Sequence, residues 1–423
     1  MLRADRQQVR GRGVIGVVDV GSSKTVCLIA AISPGEAGPA NIRIVGLGVQ
    51  PARGTQAGII TDLDEAERCA RAAIGKAERM AGVTLEGVHV SVGCGELKSQ
   101  TFAANAEIES GVVEAGDIGR LMAGGRSFAE RDGRRLVHMN TIGYRLDGNT
   151  GASDPRGMAA RRVTADLHTV TAEEAPLRNL MVMIERCYLS ISGVVASPYA
   201  SALAVTTEEE QRQGVTCIDI GGGTTKIACF ANGQFLHASV IPLGADLITY
   251  DIARALQTPL AEAERIKALY GSMIGAQSDE HETFSYALAD EEDGGLYQAT
   301  KAQLARVVAP RVEALLARVA TQLDRSGMRP YACGRIVLTG GGSELVGIGP
   351  YAANIFGAPV RVGRPMAISG LPQNVSTPAF STVAGLLMAS TVSGAETMAY
   401  DVPKSAPPKS YLGRVGQWLM EAL

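Results

Sequence analysis

The chain has 423 residues and a net charge of −3 at pH 7, with 46% hydrophobic and 20% charged residues. A chain of this length exceeds one compact core, so about two to four folding units are expected. The balanced charge argues against a strongly basic nucleic-acid-binding protein and against a highly acidic disordered chain. The seven cysteines form no Cys-x-x-Cys pair and indicate a reducing compartment, and the five isolated histidines offer no metal site.

The N-terminus, residues 1–13, is polar and basic and is predicted to be flexible. It lacks the apolar core of a secretion signal. Nowhere does the chain contain the run of about 18 apolar residues that a membrane-spanning helix requires. We therefore expect any membrane contact to be made at the membrane surface.

A strand–turn–strand unit opens the folded part of the chain. Residues 14–20 form a nearly continuous β-branched run, which is typical of a buried strand. A polar glycine turn and a second apolar run, residues 26–32, follow and predict a hairpin. Residues 62–81 are predicted as an Asp-capped, Ala-rich helix that stops at Gly82, and residues 89–92 as a strand.

The composition changes between residues 97 and 165, where short polar-alternating strands surround a predicted helix near 114–131. We interpret this segment as a small inserted α+β subdomain. A clear helical pattern returns over residues 171–187, where Thr171 and Glu174 have the spacing of a capping box.

The first unit is repeated 200 residues later. Residues 215–220 predict a buried strand, and a glycine turn and a second strand over 227–230 follow it. Both units carry Asp-x-Gly where the first strand ends, at Asp19 and at Asp219. Such an internal duplication implies two similar domains that face each other.

The remaining predictions are, in chain order, largely helical structure over 243–271, an acid-rich solvated loop over 275–295, a long helix over 300–326, a third buried strand over 335–339, a buried helix over 382–391 and a Pro-rich linker over 399–409.

Glycine turns after strands expose backbone N–H groups, and these bind phosphate oxygens. Lys24 adds a positive charge, and Asp19 and Asp219 suit a hydrated Mg²⁺, which prefers few carboxylates and several waters. The third glycine loop, Gly340 to Ser343, leaves room for a nucleoside. The pattern is neither a Walker loop nor a Rossmann fingerprint, because each glycine turn leads into a strand.

The three loops resemble the phosphate-1, phosphate-2 and adenosine motifs of the actin/Hsp70/sugar-kinase superfamily. This resemblance implies an α/β protein with a two-domain actin-like ATPase fold, duplicated ribonuclease H-like cores and ATP with Mg²⁺ as cofactors. The nucleotide-binding residues that it implies in the loops are Asp19, Gly21, Ser22, Ser23, Lys24, Asp219, Gly221, Gly222, Gly223, Thr224, Thr225, Lys226, Gly340, Gly341, Gly342 and Ser343.

Three further positions depend on the resemblance. It implies that Glu264 contacts the ribose and Lys267 the base region, although a solvent-facing i,i+3 ion pair would have the same spacing. Ser197 precedes Pro198 where relatives carry a water-positioning Glu. Because serine is not a carboxylate base, we expect hydrolysis to be slow and the nucleotide to act mainly as a conformational switch.

Within this superfamily the chain resembles the FtsA family of bacterial cell-division proteins over nearly its whole length. The segments that carry the resemblance are 184–187, 196–205, 243–267 and the C-terminal tail, together with the position of the insert. The family implies a link between the FtsZ ring and the inner face of the cytoplasmic membrane at the division septum, recruitment of later division proteins, and self-assembly into filaments. It also implies that residues 236–300 bind the C-terminal peptide of FtsZ.

The resemblance divides the chain into domains. The expected parts are a first actin-like domain (1A; 14–96, 166–205 and 360–395), the inserted subdomain (1C; 97–165), a second actin-like domain (2A; 206–235 and 301–359), subdomain 2B (236–300), a linker (396–409) and a terminal helix (410–423).

Residues 410–423 form an amphipathic pattern at helical spacing. Its apolar face is predicted to contact the membrane through Tyr411, Leu412, Val415, Trp418, Leu419 and Leu423. Trp418 is the only tryptophan of the chain, and tryptophan favours the headgroup region. A helix docked on its own domain or in a partner groove is the alternative. Because so short a helix binds weakly, polymerisation would supply avidity.

Two other functions fit the same fold. A sugar or acetate kinase would need a substrate-binding carboxylate in the cleft and has no use for an amphipathic tail. A pilus-assembly scaffold of the actin-like type also binds nucleotide but usually lacks such a tail. The tail therefore favours the cell-division protein over both alternatives.

Overall fold

The structure is a computed structural model, and it describes residues 13–33, 41–289, 295–332, 334–366 and 368–391. The predicted linker (396–409), the amphipathic tail (410–423) and the N-terminal segment before Gly13 lie outside the described residues. None of the helices in the described ranges is long and apolar enough to cross a membrane.

The strands are β1 (Gly13–Val20), β2 (Lys24–Ser33), β3 (Asn41–Pro51), β4 (Thr55–Gln56), β5 (Ile59–Ile60), β6 (Gly87–Val92), β7 (Lys98–Glu107), β8 (Arg134–Leu146), β9 (Asn149–Ala152), β10 (Arg162–Glu173), β11 (Ser190–Ala196), β12 (Val215–Ile220), β13 (Thr225–Ala231), β14 (Gln234–Ile241), β15 (Thr283–Ala287), β16 (Leu296–Thr300), β17 (Ile336–Thr339) and β18 (Val360–Val362). The α-helices are α1 (Leu63–Ala81), α2 (Ala115–Ala129), α3 (Glu174–Arg186), α4 (Ser197–Val205), α5 (Glu208–Gln213), α6 (Asp246–Leu256), α7 (Leu260–Tyr270), α8 (Lys301–Ser326), α9 (Arg329–Ala332), α10 (Ile348–Phe356) and α11 (Ser381–Thr391). Short 3₁₀ turns cover Gln277–Glu280, Gly341–Glu344, Gln373–Val375 and Pro378–Phe380.

Two five-stranded sheets have the same topology, which confirms the duplicated actin-like fold. The first has the order β3-β2-β1-β6-β11 and the second the order β14-β13-β12-β17-β18. In each sheet three strands form an antiparallel meander, a fourth strand pairs in parallel with the first strand of the meander, and a fifth pairs in parallel with the fourth. The registers also match, because Asp19 lies opposite Val26 and Asp219 lies opposite Lys226.

Helix α1 shows how the sequence brings helix and sheet together. The Asp62 side chain accepts the Glu65 N–H at 3.0 Å, and Gly82 ends the helix with φ of +69°. A Cβ on Gly48 of β3 would overlap the carbonyl group of Ala73. Glycine in the strand and alanine in the helix therefore allow the two backbones to approach closely, and this packing forms part of the first core.

The inserted segment forms a four-stranded sheet with the order β7-β10-β8-β9 and helix α2. The predicted boundary at residue 165 falls inside β10, which pairs with both β7 and β8. The predicted capping box at Thr171 is wrong. Thr171 is a buried residue of β10, and helix α3 begins at Glu174 with Glu173 as its N-cap. Strand pairing outweighs local capping chemistry there.

The acid-rich stretch 275–295 was expected to be a loop, and this expectation is wrong for part of it. Residues 283–287 form β15, which pairs with β16 as a hairpin. The ring of Phe284 is buried and stacks on Tyr270 at the end of α7, with 4.9 Å between ring centroids. Aromatic burial on one face thus holds a strand whose other face carries the exposed polar residues Thr283 and Ser285. The acidic residues 290–293 lie outside the described ranges.

Candidate functional site

An open cleft of about 920 Å³ lies between the two five-stranded sheets. All three glycine loops line it, together with residues of both Asp-x-Gly units. The predicted site residues that line this cleft are Asp19, Gly21, Ser22, Ser23, Lys24, Asp219, Gly221, Gly222, Gly223, Thr224, Lys226, Gly340 and Gly341. The cleft therefore gathers loops that are more than 300 residues apart in the sequence.

The two hairpin turns have the same hydrogen bond and touch each other. The Gly21 N–H donates to the Lys24 carbonyl at 3.0 Å, and the Gly221 N–H donates to the Thr224 carbonyl at 2.8 Å. A Cβ on Gly223 would lie 2.6 Å from the Ser22 hydroxyl oxygen. Glycine is therefore needed where the turns meet, and the backbone amides there have no side chains over them.

Asp219 is the centre of a buried polar network. Its Oδ2 accepts hydrogen bonds from Ser201 Oγ at 2.5 Å and Thr382 Oγ1 at 3.0 Å, and it pairs with Lys226 Nζ at 3.1 Å. Burial acts to raise the pKa of Asp219, but the Lys226 ammonium group and the two hydroxyl donors hold it below its usual value. Burial likewise acts to lower the pKa of Lys226, and the nearby carboxylates raise it above its usual value. We conclude that the pair is ionised.

Asp19 and Lys24 face this pair from the first domain. Asp19 Oδ1 accepts a short hydrogen bond from Ser91 Oγ. Lys24 Nζ lies 3.8 Å from the centroid of the Phe380 ring. Burial lowers the pKa of Lys24, and carboxylates at Asp19, Glu344 and Asp219 act against that shift.

The donor set suits a magnesium ion held through water. Asp19 and Asp219 are two carboxylates at the same cleft, and the described residues contain no cluster of three or more His, Cys, Asp or Glu that could hold a metal directly. Mg²⁺ retains several waters and commonly takes one or two protein carboxylates. Because the Asp219 carboxylate already pairs with Lys226, the Asp19 carboxylate is the more available metal ligand.

The third loop depends on the backbone conformation of one glycine. Gly340 has φ of +80° and ψ of +162°, a region that is essentially reserved for glycine. Its N–H donates to the Pro378 carbonyl at 3.0 Å, and a Cβ there would overlap Asp219 Oδ1. The loop thus packs directly against the second aspartate.

A second cleft of about 1110 Å³ adjoins the first and shares Ser23, Lys24, Gly222, Gly341 and Ala379 with it. The predicted residues that line it in addition are Gly342, Glu264 and Lys267. A space next to the cleft of the two hairpin turns, lined by glycine loops on one side, has the arrangement that a nucleoside needs.

Glu264 and Lys267 form an i,i+3 ion pair at 2.6 Å, and the pair also faces the second cleft. The Lys267 side chain is only 13% exposed and donates to Thr249 Oγ1 at 2.8 Å, whereas the Glu264 side chain is 55% exposed. Glu264 and Lys267 can therefore form an ion pair with each other and still line the cleft. Asp246 lines the same cleft, and burial raises its pKa.

Ser197 lines the first cleft at the start of α4, next to Gly93. It is buried, and its hydroxyl oxygen has no hydrogen-bond partner among the described residues. The position expected to orient water therefore carries a small uncharged side chain.

Two predicted residues do not line either cleft. Thr225 is buried and donates to the Leu243 carbonyl at 2.8 Å, and Ser343 donates to the Gly340 carbonyl at 2.7 Å. Both side chains stabilise the loops from behind.

Among the residues that sequence reasoning missed are four that contact predicted site side chains: Ser91, Ser201, Phe380 and Thr382. They are single polar or aromatic residues without a glycine pattern or a repeated spacing. The only available signal was that Ser201 lies in the segment after Pro198 that carries the family resemblance.

Comparison with known proteins gives the family. The model "Cell division protein FtsA" matches residues 216–385, and "SHS2 domain inserted in FTSA" matches residues 94–171. Cell division protein FtsA of Rhizobium meliloti (strain 1021) is 37% identical over 97% of this chain and 95% of its own length. The proteins of the same name from Pseudomonas aeruginosa and Escherichia coli (strain K12) are 32% and 30% identical, over 97% and 96% of this chain and 98% and 97% of their own lengths.

The solved structure of the "PilM-PilN type IV pilus biogenesis complex" has a TM-score of 0.63 and 15% identity, covering 90% of this chain and 99% of that chain. At that identity the likeness concerns the fold alone. The full-length relatives, by contrast, favour a cell-division role over the pilus-assembly alternative. By these matches the chain belongs to the FtsA family of cell division proteins.

Proposed function

We propose that this protein binds ATP with Mg²⁺ between its two actin-like domains and uses the nucleotide as a slow switch. The observation that carries the proposal is the meeting of three glycine loops, Lys24 and two aspartates at one cleft. Backbone amides of the two hairpin turns bind the phosphates, and Lys24 adds positive charge. A hydrated Mg²⁺ would be held by Asp19 and Asp219 and would offset phosphate charge.

The second cleft takes the nucleoside in this proposal. Glu264 contacts the ribose, Lys267 the base region, and the loop Gly340 to Ser343 leaves space for both. Ser197 stands where a carboxylate would be needed to orient water, so hydrolysis is slow. Its buried hydroxyl group supports this view, because it has no hydrogen-bond partner among the described residues.

At the level of the cell, we propose that the protein tethers the FtsZ ring to the inner face of the cytoplasmic membrane at the septum. Residues 410–423 would lie on the membrane as an amphipathic helix behind the linker 396–409. Self-assembly into filaments would add the avidity that a single tail lacks. Recruitment of later division proteins completes the family role.

Subdomain 2B, residues 236–300, is the proposed site for the FtsZ C-terminal peptide. Three apolar side chains of this region are largely exposed: Leu269 by 62%, Ile274 by 57% and Leu296 by 73%. These exposed apolar side chains are the feature of 2B that supports a docking surface. Cross-linking of an FtsZ C-terminal peptide tests the assignment, and cross-links confined to 97–165 would overturn it.

The domain division is proposed on the same resemblance, with 1A, 1C, 2A and 2B as given above. The two matching five-stranded sheets support 1A and 2A. Strands β10 and β14 cross the limits at residues 165 and 235, so both limits are approximate.

Nucleotide binding is tested by ATP titration of the purified full chain with Mg²⁺, followed by thermal shift. We expect stabilisation by ATP in preference to GTP, and its loss in Lys24→Ala. The matched control is Lys76→Ala, because Lys76 is a lysine of α1 that donates to the Val49 carbonyl away from the cleft. A wild-type protein without an ATP-dependent shift would refute the proposal.

A further inference from the structure

The inserted subdomain has one sheet edge that lacks the usual protection. Strand β7 is the outer strand of its sheet, and β10 is its only partner among the described strands. Residues 101–106 of β7 contain neither a charged residue nor a proline. Natural sheets normally protect exposed edges with charges, prolines or very short strands. The opposite edge, β9, follows this rule because it is only four residues long.

Strand β14 contacts β7 near the beginning of β7. The Ala238 N–H donates to Ser99 Oγ at 3.2 Å, and the uncharged stretch starts beyond that point. A free strand edge presents unpaired N–H and C=O groups, and an extended peptide can pair with them.

A groove of about 840 Å³ runs beside this edge, between β7 and helix α2. We call it the β7 groove, and its lining residues include Phe102, Ala104, Arg120, Gly124, Phe128 and Arg131. The Phe102 and Phe128 rings lie 4.6 Å apart, and Phe128 is 45% exposed. A Cβ added to Gly124 would meet no atom within 4 Å. Apolar surface and free space are thus available to side chains of an added strand.

The charge of the β7 groove indicates which kind of partner segment it can bind. Two guanidinium groups line it, and no carboxylate does so among the described residues. The Arg120 side chain is 64% exposed beside Asp117, and Arg131 lies 4.5 Å from the centre of the Phe128 ring. A second copy of this chain would bring two more guanidinium groups to the same place, which disfavours self-pairing through this edge.

We propose that the β7 groove binds an extended acidic segment of a partner protein. The segment adds to β7 as a fifth strand, its backbone pairs with residues 101–106, and its carboxylates pair with Arg120 and Arg131. Alternate apolar side chains of the segment cover Phe102 and Phe128. Main-chain pairing supplies affinity, and the arginines supply specificity for acidic sequences.

The test uses the full-length protein as bait for a displayed library of random decapeptides. We expect selection of extended sequences that alternate apolar residues with Asp or Glu. Selected peptides, synthesised with a fluorescent label, are then titrated by anisotropy. Arg120→Glu should weaken binding by about tenfold or more, because it replaces an attractive ion pair by a repulsive one. Arg126→Glu is the matched control, since Arg126 is an exposed arginine of the same helix that pairs with Glu130 outside the groove.

Asn105→Glu is the second variant, because residue 105 is exposed on the strand edge and the change leaves α2 intact. It should weaken binding to a similar degree, and the bound peptide should slow hydrogen exchange over 101–106. Selection of basic or Pro-rich peptides, equal binding by Arg120→Glu and Arg126→Glu, or no selection at all would overturn the proposal. Self-association that Arg120→Glu abolishes would also overturn it, in favour of a second copy.

Discussion

Replacing Gly340 by alanine tests the adenosine-type loop, because the neighbouring glycine offers a matched control. At Gly340 a Cβ would overlap the Asp219 carboxylate and lie 2.5 Å from the Ile220 carbonyl oxygen. At Gly341 a Cβ would meet only the Cβ of Ala379, at an ordinary 3.7 Å. Both variants add one methyl group, and the two positions are neighbours in the chain.

The cost at Gly340 has two parts. A non-glycine residue in this backbone region costs roughly 1–3 kcal/mol, and overpacking against a rigid neighbour adds roughly 1–3 kcal/mol. We therefore expect Gly340→Ala to lower the free energy of unfolding by about 2–6 kcal/mol, and Gly341→Ala to change it by about 0.5 kcal/mol or less. Displacement of Asp219 from Lys226 should also abolish ATP binding in the first variant.

Urea unfolding followed by circular dichroism gives the global change. Because a chain with several folding units need not unfold in one step, hydrogen exchange over residues 215–231 reports on the second sheet itself. Gly341→Val should keep wild-type exchange and lose ATP binding, because its side chain enters the cleft. Equal stability of Gly340→Ala and Gly341→Ala would refute the conclusion that position 340 requires glycine.

Three further predictions concern other parts of the chain. The hydrogen bonds from Arg361 hold the pKa of Glu210 at about 2. The contribution of the Glu210 carboxylate to the free energy of unfolding should therefore be complete above its unfolded pKa near 4.5 and vanish as pH falls through about 2. Urea unfolding should show that the difference in unfolding free energy between wild type and Glu210→Gln shrinks as pH falls from about 4.5 to about 2. A difference that stays constant over this pH range would contradict the prediction. Trp418→Glu should release the protein from anionic liposomes without loss of ATP binding, since burying one large apolar side chain is worth roughly 1.5–3 kcal/mol; unchanged co-sedimentation would mean that the tail packs elsewhere. Ser197→Glu should speed single-turnover hydrolysis of labelled ATP, whereas brisk wild-type hydrolysis that survives Ser197→Ala would show that another residue orients the water.

Local patterns predicted the elements on which the site is built. The Asp-x-Gly units at Asp19 and Asp219 were recognisable because a continuous β-branched run, a glycine turn and a second run form a pattern that sequence alone carries. Helix α1 was equally clear, since its Asp62 cap and its Gly82 stop lie next to the helix they bound. Each of these signals depends on neighbours within a few residues.

Pairing between distant strands was harder to predict. Thr171 has the spacing of a helix cap, yet β10 runs through it because β7 and β8 pair on both of its sides. The acid-rich stretch near residue 283 resembles a solvated loop, yet Phe284 anchors a hairpin on Tyr270. In both places a contact with a distant residue outweighs the local preference.

The segment from Pro378 to Thr382 shows that contacts between distant residues are equally hard to predict at the site itself. Its members reach all three glycine loops, because Pro378 accepts from Gly340, Phe380 lies against Lys24, and Thr382 accepts from Lys226 Nζ at 2.8 Å. No spacing or repeat marks these residues. Helix α11 continues from this segment and packs on α4 so closely that a Cβ at position 385 would overlap the α4 backbone. A shift of the loops on phosphate binding would therefore act on α11 and, through α4, on the first sheet, which connects the cleft to the rest of the first domain.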